Sequence, residues 1–248
     1  MKKISLLAII VLSAITAQAQ TADEIINKYI ANTGGKDKWL ALKSVRMTGK
    51  AKQGGMEFPF VALQAEGGKQ KNAFTFQGKE MVLAAFDGNT GWNTNFMTMK
   101  PEKMEAEDSE NMKLDAADFP DPFLDYQKKG YKVALEGKET VEGTECFKLK
   151  LTKKPVKVEG KTEDNIVYYF IDTQNYVPIV SRSVLKKGQG KGTSIESVYS
   201  DYQEVNGLFF PFSIAQKANG QTAITIVVEK VETNIAVDAK EFAFPEGK

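Results

Sequence analysis

The sequence predicts a mainly β fold built on an antiparallel sheet of ten or eleven short, locally joined strands. Three observations carry this. From Val45 onward apolar residues recur at every second position, in VRMTGKAK, MEFPFVALQAE, QKNAFTFQG and EMVLAAFDG, and again from Tyr131 to the last segment QTAITIVVEKVETN. Glycine pairs, Gly-Lys and Asn-Gly punctuate the runs where hairpins need positive φ. Nothing alternates strand with helix, so a parallel sheet is not expected.

Residues 1–19 read as a secretory signal. Lys2 and Lys3 precede an apolar run from Ile4 to Ile15, and Ala17-Gln18-Ala19 has the small-x-small form of a cleavage site. The run is too short to span a bilayer. Cleavage after Ala19 leaves 229 of the 248 residues, beginning at Gln20 and read as one domain over 20–248. No cysteine stands at the junction for lipid attachment, so a soluble periplasmic protein is expected, and a monomer.

Thr21 and Glu24 form a capping box, and Ile25, Ile26, Tyr29 and Ile30 make a helical stripe that ends at Gly34-Gly35. Asp37 is placed to cap a second short helix containing Trp39 and Leu40. Pro59 lies inside MEFPFVAL, where its missing N–H predicts an edge strand or a bulge. Residues from Pro101 to Gly130 break the rhythm with an acidic run and then LDAADFPDPFLDYQKKG, which predicts a loop with one or two short helices, a candidate lid. The strands then resume, with hairpin turns at Asp172-Thr-Gln-Asn175 and Glu204-Val-Asn-Gly207.

Composition removes whole classes of chemistry. The chain has no histidine, which excludes Ser-His-Asp and Cys-His catalysis and the histidine-containing zinc motifs. Cys146 is the one cysteine, so no internal disulfide forms, and it reads as a small buried hydrophobe. Without Lys2 and Lys3 the chain has 31 basic and 32 acidic residues, which gives no footprint for nucleic acid. Asp87, Asn89 and Gly91 have the alternate spacing of a calcium loop, but its sixth and twelfth positions would be Trp92 and Thr98, so a tight turn is expected and no metal. LKKGQGKGTS lacks phosphate-loop spacing and reads as a solvated hairpin tip, and Lys153, Lys154 and Lys157 as a solvated strand end.

FPFVAL, MVLAAF, IVYYFI, LFFPFSI and AITIVV are apolar at adjacent as well as alternate positions, so something covers both faces of the sheet. The N-terminal helices cover part of one. What they leave open on the concave side is an apolar cavity able to take a lipid chain. Met97, Met99, Met104 and Met112, in and beside the insert, suit an adaptable apolar surface.

Ser44-Val45 opening the first strand, FDGNTGW, YFIDTQNYVPI, YSDYQEVNGLFFPFSI and the closing VDAKEFAFP, in that order after two short helices, resemble the LolA-like outer-membrane lipoprotein-sorting proteins. The resemblance implies a strongly curved antiparallel sheet, an incomplete barrel of about eleven strands with helices over its mouth. It also implies a non-catalytic periplasmic carrier of lipid or lipoprotein acyl chains, without a cofactor, that meets envelope membrane proteins. Arg46 is the candidate for the polar latch between sheet and lid. The expected cavity lining is Phe58, Phe60, Phe74, Phe76, Trp92, Phe96, Met97, Tyr168, Phe170 and Phe210. The alternative is an envelope interaction module with a filled core and an exposed edge strand.

Overall fold

A computed structural model describes residues 20–246; the expected signal peptide lies outside the described residues. Two helices, α1 (Ala22–Asn32) and α2 (Lys36–Leu40), precede six strands, β1 (Ser44–Gln53), β2 (Met56–Ala65), β3 (Lys69–Phe76), β4 (Lys79–Phe86), β5 (Gly91–Asn95) and β6 (Lys100–Lys103). Helix α3 (Ala106–Ala116) opens the insert, and β7 (Lys132–Val141), β8 (Thr144–Thr152), β9 (Val156–Val158), β10 (Lys161–Glu163) and β11 (Ile166–Asp172) follow. The chain ends through β12 (Pro178–Val184), β13 (Ser194–Val205), β14 (Leu208–Ala218) and β15 (Gln221–Thr233).

Thirteen strands form one antiparallel sheet in the order β6-β5-β4-β3-β2-β1-β15-β14-β13-β12-β11-β8-β7, and β9 and β10 form a separate hairpin. The sheet is two strands larger than expected. Its surplus comes from β5 and β6, short strands on either side of the methionine turn whose polar composition hides them. Among the described residues the only non-sequential joins are β1 to β15 and β8 to β11, so local hairpins account for the rest. β6 and β7 remain as the two edges, and the sheet is an open barrel.

The α1 stripe is buried as its spacing requires. Thr21 caps it reciprocally with Glu24, and Ile25, Ile26, Tyr29 and Ile30 pack with Trp39, Val45, Leu149, Leu151, Ile171, Leu208, Phe210 and Val228. Phe123, Leu124 and Tyr131, from the second half of the insert, join the same core. This is the inner face of the barrel.

The outer face is covered by an element the sequence reading did not anticipate. After β15 the chain runs back across β1 to β5, placing Ile235, Val237 and Phe242 on Leu63 and Ala65, and Phe244 on the cluster of Ala73, Val82, Ala85 and Trp92. Trp92 Nε1 donates to the Phe242 carbonyl at 2.8 Å. The apolar-on-both-faces pattern thus has two covers, helices inside and the C-terminal tail outside.

Pro59 departs from its expectation. β2 pairs on both sides, with β1 and with β3, and Pro59 stands opposite Lys50 without a bulge. The ladder with β3 begins only at Phe60, so the missing N–H falls where that flank is already unpaired.

Candidate functional site

Residues opposite one another on antiparallel neighbours share a face, so the register identifies the inner surface away from the helices. Phe74 is opposite Phe60, Phe60 opposite Gly49 and Gly49 opposite Val228. One step further from the helices, Phe58, Ala51, Ile226, Ile214 and Tyr199 form a continuous row. Val228 and Ile226 pack into the α1 core, which fixes both rows to the inner face. Gly49 is required here, since a Cβ would stand 2.0 Å from the Val227 carbonyl oxygen.

The phenylalanines at the end of these rows make one aromatic surface. Ring centroids are 5.6 Å apart for Phe58 and Phe74, 6.0 Å for Phe58 and Phe76, and 6.2 Å for Phe74 and Phe96. Phe58, Phe60, Phe74 and Phe76 are half-buried, and Phe96 is 53% exposed. Among the described residues neither the N-terminal helices nor the C-terminal tail packs on them.

A large cavity, about 1030 Å³, lies between the ends of β11 to β13, the β9–β10 hairpin and α3. Its apolar wall includes Val156, Val158, Val167, Leu185 and Ile195. α3 presents Asp108, Asn111 and Asp115 to it, so the roof is polar.

Polar contacts hold α3 in place. The Glu107 carboxylate accepts from the Glu159 and Gly160 N–H groups at 2.9 and 2.8 Å, where the β9–β10 turn presents two backbone donors side by side. Those donors hold the Glu107 carboxyl below its usual range. Asn111 bonds the Lys157 carbonyl and N–H, and Lys187 reaches Asp108 at 3.0 Å. Lys153 Nζ bridges Asp115 at 2.7 Å and Asp118 at 2.9 Å.

The 117–131 segment is fixed by buried polar groups. The Tyr29 hydroxyl donates to Asp121 Oδ2 while Asp121 Oδ1 accepts from the Phe123 N–H. Burial pushes the Asp121 carboxyl above its ordinary value, with these two donors opposing. Burial and the Asp121 charge push the Tyr29 hydroxyl well up. Lys129 donates to the Asp121 carbonyl, and burial lowers its pKa.

Of the expected lining, Phe58, Phe60, Phe74, Phe76 and Phe96 come together on the inner face, whereas Tyr168 packs on the outer-face cluster of Cys146, Phe170 and Val180 and only borders the large cavity. Met97, beside Phe96, is 96% exposed at the β5–β6 turn and projects away from any lining. Phe210 is inside but buried edge-on against Trp39, with no surface left for a ligand. Trp92 and Phe170 are on the outer face, Trp92 under the C-terminal tail and Phe170 packed on Cys146 and Val180. Parity explains both. Gly91 faces α3, its Cβ position meeting Met104 and Met112, so the next residue points outward, and Phe170 alternates with inward Tyr169 and Ile171.

Arg46 likewise faces outward, paired through Nη2 with both Glu241 oxygens at 2.8 Å, so it fastens the C-terminal tail and no lid. Asp87 is turn chemistry, its Oδ1 accepting from the Asn89 and Thr90 N–H groups. Cys146 is fully buried, and burial beside Asp172 and Glu145 raises its thiol to about 11. Of the lysines read as solvated ends, Lys154 is exposed as expected, whereas the Lys153 side chain is nearly buried and Lys157 and Lys187, though exposed, reach carboxylates of α3. The aspartates that engage Lys153, Asp115 and Asp118, were missed, as was the buried Asp121, although the three recur at every third position.

No protein-family model matches the chain, and no curated protein matches it by sequence. Solved structures do match in shape. A LolA superfamily protein from Nitrosomonas europaea superposes with a TM-score of 0.54 at 13% identity, over 91% of this chain and 98% of that one. A DUF1329 family protein from Desulfovibrio piger gives 0.55 at 10% identity, over 89% and 96%. An outer membrane lipoprotein-sorting protein domain, described as putative, from Vibrio parahaemolyticus gives 0.52 at 10% identity, over 88% and 94%. The chain therefore has the LolA-like fold, an open antiparallel barrel with helices on its inner face.

Proposed function

We propose that this protein is a non-catalytic periplasmic carrier that shelters an acyl chain of a lipid or lipoprotein on the inner face of its barrel. The observation that carries this reading is the apolar surface left uncovered there. The rows ending in Phe58, Phe60, Phe74, Phe76 and Phe96 lead across β1, β15 and β14 to β13, whose Ile195 lines the cavity of about 1030 Å³. That volume is at the top of the range for small-molecule sites. Burying an acyl chain contributes about 0.8 kcal/mol per methylene, so a fraction of one long chain gives useful affinity without a charged contact. The LolA-like fold supports the same reading.

The competing interaction module rests on β7, an edge strand whose residues are mostly exposed. Native mass spectrometry of protein purified from a Gram-negative host separates the two. Co-purifying lipid of acyl-chain mass supports the carrier; a ligand-free protein that also takes up no lipid from vesicles overturns it.

A further inference from the structure

We propose that one end of the barrel docks on a bilayer carrying anionic phospholipid, so that chains pass between membrane and inner face, a role that rests on the acyl-chain reading above. In an antiparallel sheet successive hairpin turns fall at opposite ends. The turns at 54–55, 77–78, 96–99, 185–193 and 219–220 share one end, and those at 66–68, 87–90, 142–143, 173–177 and 206–207 share the other. Eight large apolar side chains are exposed among the described residues. Six of them, Met56, Phe96, Met97, Met99, Val184 and Leu185, are at the first end, in its turns or at a strand terminus beside one.

The 96–99 turn is built to hold its side chains out. Asn95 Oδ1 accepts from the Met97 and Thr98 N–H groups at 2.8 and 3.1 Å, and the Asn95 carbonyl accepts from the Met99 N–H at 2.7 Å. The closed turn therefore presents Met97 at 96% exposure on a fixed backbone. Phe96 stacks on Phe74 at 6.2 Å, and Phe58, two residues beyond Met56, is 6.0 Å from Phe76. The exposed tips thus run into the aromatic surface of the inner face, and a chain leaving a bilayer reaches that surface without crossing water.

The charges around the tips favour a negatively charged bilayer. The hairpin turns at the far end carry Glu66, Asp87 and Glu142 and no lysine, whereas those at the docking end carry Lys186, Lys187 and Lys191 and no carboxylate. These three lysines are matched, Lys186 and Lys191 by Glu163 and Lys187 by Glu105 and Asp108, so the β12–β13 side of this end is balanced. Beside Met56 and Met97 the balance is positive. Residues 50–57, 71–80 and 100–103 hold six lysines and three carboxylates, and the Glu229 carboxylate near Lys50 leaves a net charge of +2. Glu57 is held by Lys50 and Lys52 and Glu80 by Lys71, while Lys79 and Lys100 make no ion pair among the described residues. A protein partner would need separate sockets for side chains standing on two different turns. A bilayer interface closes round each of them, and its phosphates meet the lysines beside them.

The test floats the mature protein with vesicles of phosphatidylcholine alone and of equal parts phosphatidylcholine and phosphatidylglycerol. A separate arm loads lipid from detergent micelles and counts it by native mass spectrometry. The charged vesicles should bind about 20-fold more tightly, at about fivefold for each of two lysines near an anionic surface, and Lys79→Gln/Lys100→Gln should remove that preference. Met97→Ser, at a side chain too exposed to support the fold, should weaken binding to both kinds of vesicle about tenfold and match the parent in lipid loaded from micelles. No association of the parent with charged vesicles, equal association with neutral ones, or undiminished association of Met97→Ser overturns the docking surface; lipid retained from micelles then leaves the acyl-chain reading standing. Association with charged vesicles by a protein that retains no lipid from micelles supports the docking surface and overturns the acyl-chain reading. Association only with vesicles made from whole envelopes, proteins included, assigns the tips to a protein partner and overturns the bilayer.

Discussion

Replacing Tyr29 by phenylalanine removes the donor to Asp121 and tests whether this buried pair fixes the 117–131 segment against α1. The structure sets the magnitude. Asp121 is 8% exposed and its carboxyl accepts from Tyr29 and from the Phe123 N–H, so the substitution removes one of two donors from a buried, charged acceptor. A hydrogen bond to a charged group contributes about 1.5–3 kcal/mol, and about 2 kcal/mol in a chain of this size lowers the melting temperature by roughly 4–8 °C. The pH dependence gives a sharper signature. Burial raises the folded-state carboxyl above its unfolded value, so Asp121 contributes stability below the unfolded value that is lost as pH rises through the folded one. Tyr29 opposes that loss by stabilising the ionised form. The Tyr29→Phe defect is therefore largest at neutral pH and shrinks toward about 1 kcal/mol where Asp121 is protonated. Asp121→Asn is the control, since its carbonyl accepts from Phe123 and its amide donates to the tyrosine oxygen. In that background the Tyr29→Phe defect should be small and independent of pH. Calorimetric melts of the four proteins of the cycle between pH 4 and 8 decide it. A defect larger at acid pH, or unchanged in the Asp121→Asn background, would refute the reasoning.

Other substitutions test other parts of the fold. Trp92→Phe leaves the Phe242 carbonyl without its donor and should cost about 1–2 kcal/mol in chemical denaturation, with faster amide exchange confined to the tail after Ile235. Arg46→Met should cost under about 1 kcal/mol, because both partners are a third exposed, and should leave lipid retention unchanged; reduced retention would restore Arg46 to a latch role. Gly49→Ala should destabilise by more than about 1 kcal/mol, since its Cβ would be 2.0 Å from the Val227 carbonyl oxygen; a neutral effect in a urea melt would contradict the close approach. Glu107→Gln should raise protease sensitivity at the β9–β10 hairpin while the global melt moves little, because the Glu107 contacts are local and exposed.

The antiparallel architecture, the capped α1 and the hairpin turns were legible because each depends on local chemistry. Thr21 with Glu24 specifies a helix start, and Asn206-Gly207 adopts the positive φ of a two-residue hairpin turn. The aromatic surface was legible where strands are regular, so Phe58, Phe60 and Phe74 fell on the face expected. Trp92 and Phe170 went astray because face depends on register and parity, and no residue in either strand states which side is inside. The C-terminal tail was invisible because VDAKEFAFP has no period, and its burial arises from Phe242 and Phe244 meeting strands far away in sequence. The β9–β10 hairpin escaped because Lys157 and Lys161 resemble solvated ends, whereas Lys157 is held across α3.

The central claim is that the uncovered inner face binds an acyl chain, and the most direct measurement compares lipid retention of the unmodified protein with that of Phe58→Ser/Phe74→Ser. Both side chains are already half-buried in an uncovered surface, so the pair should fold with a melting temperature near that of the parent. The account predicts that the parent carries lipid from a Gram-negative host in native mass spectra and that the double variant loses most of it. A parent that carries none and accepts none from vesicles, or a folded double variant that retains lipid undiminished, would contradict it.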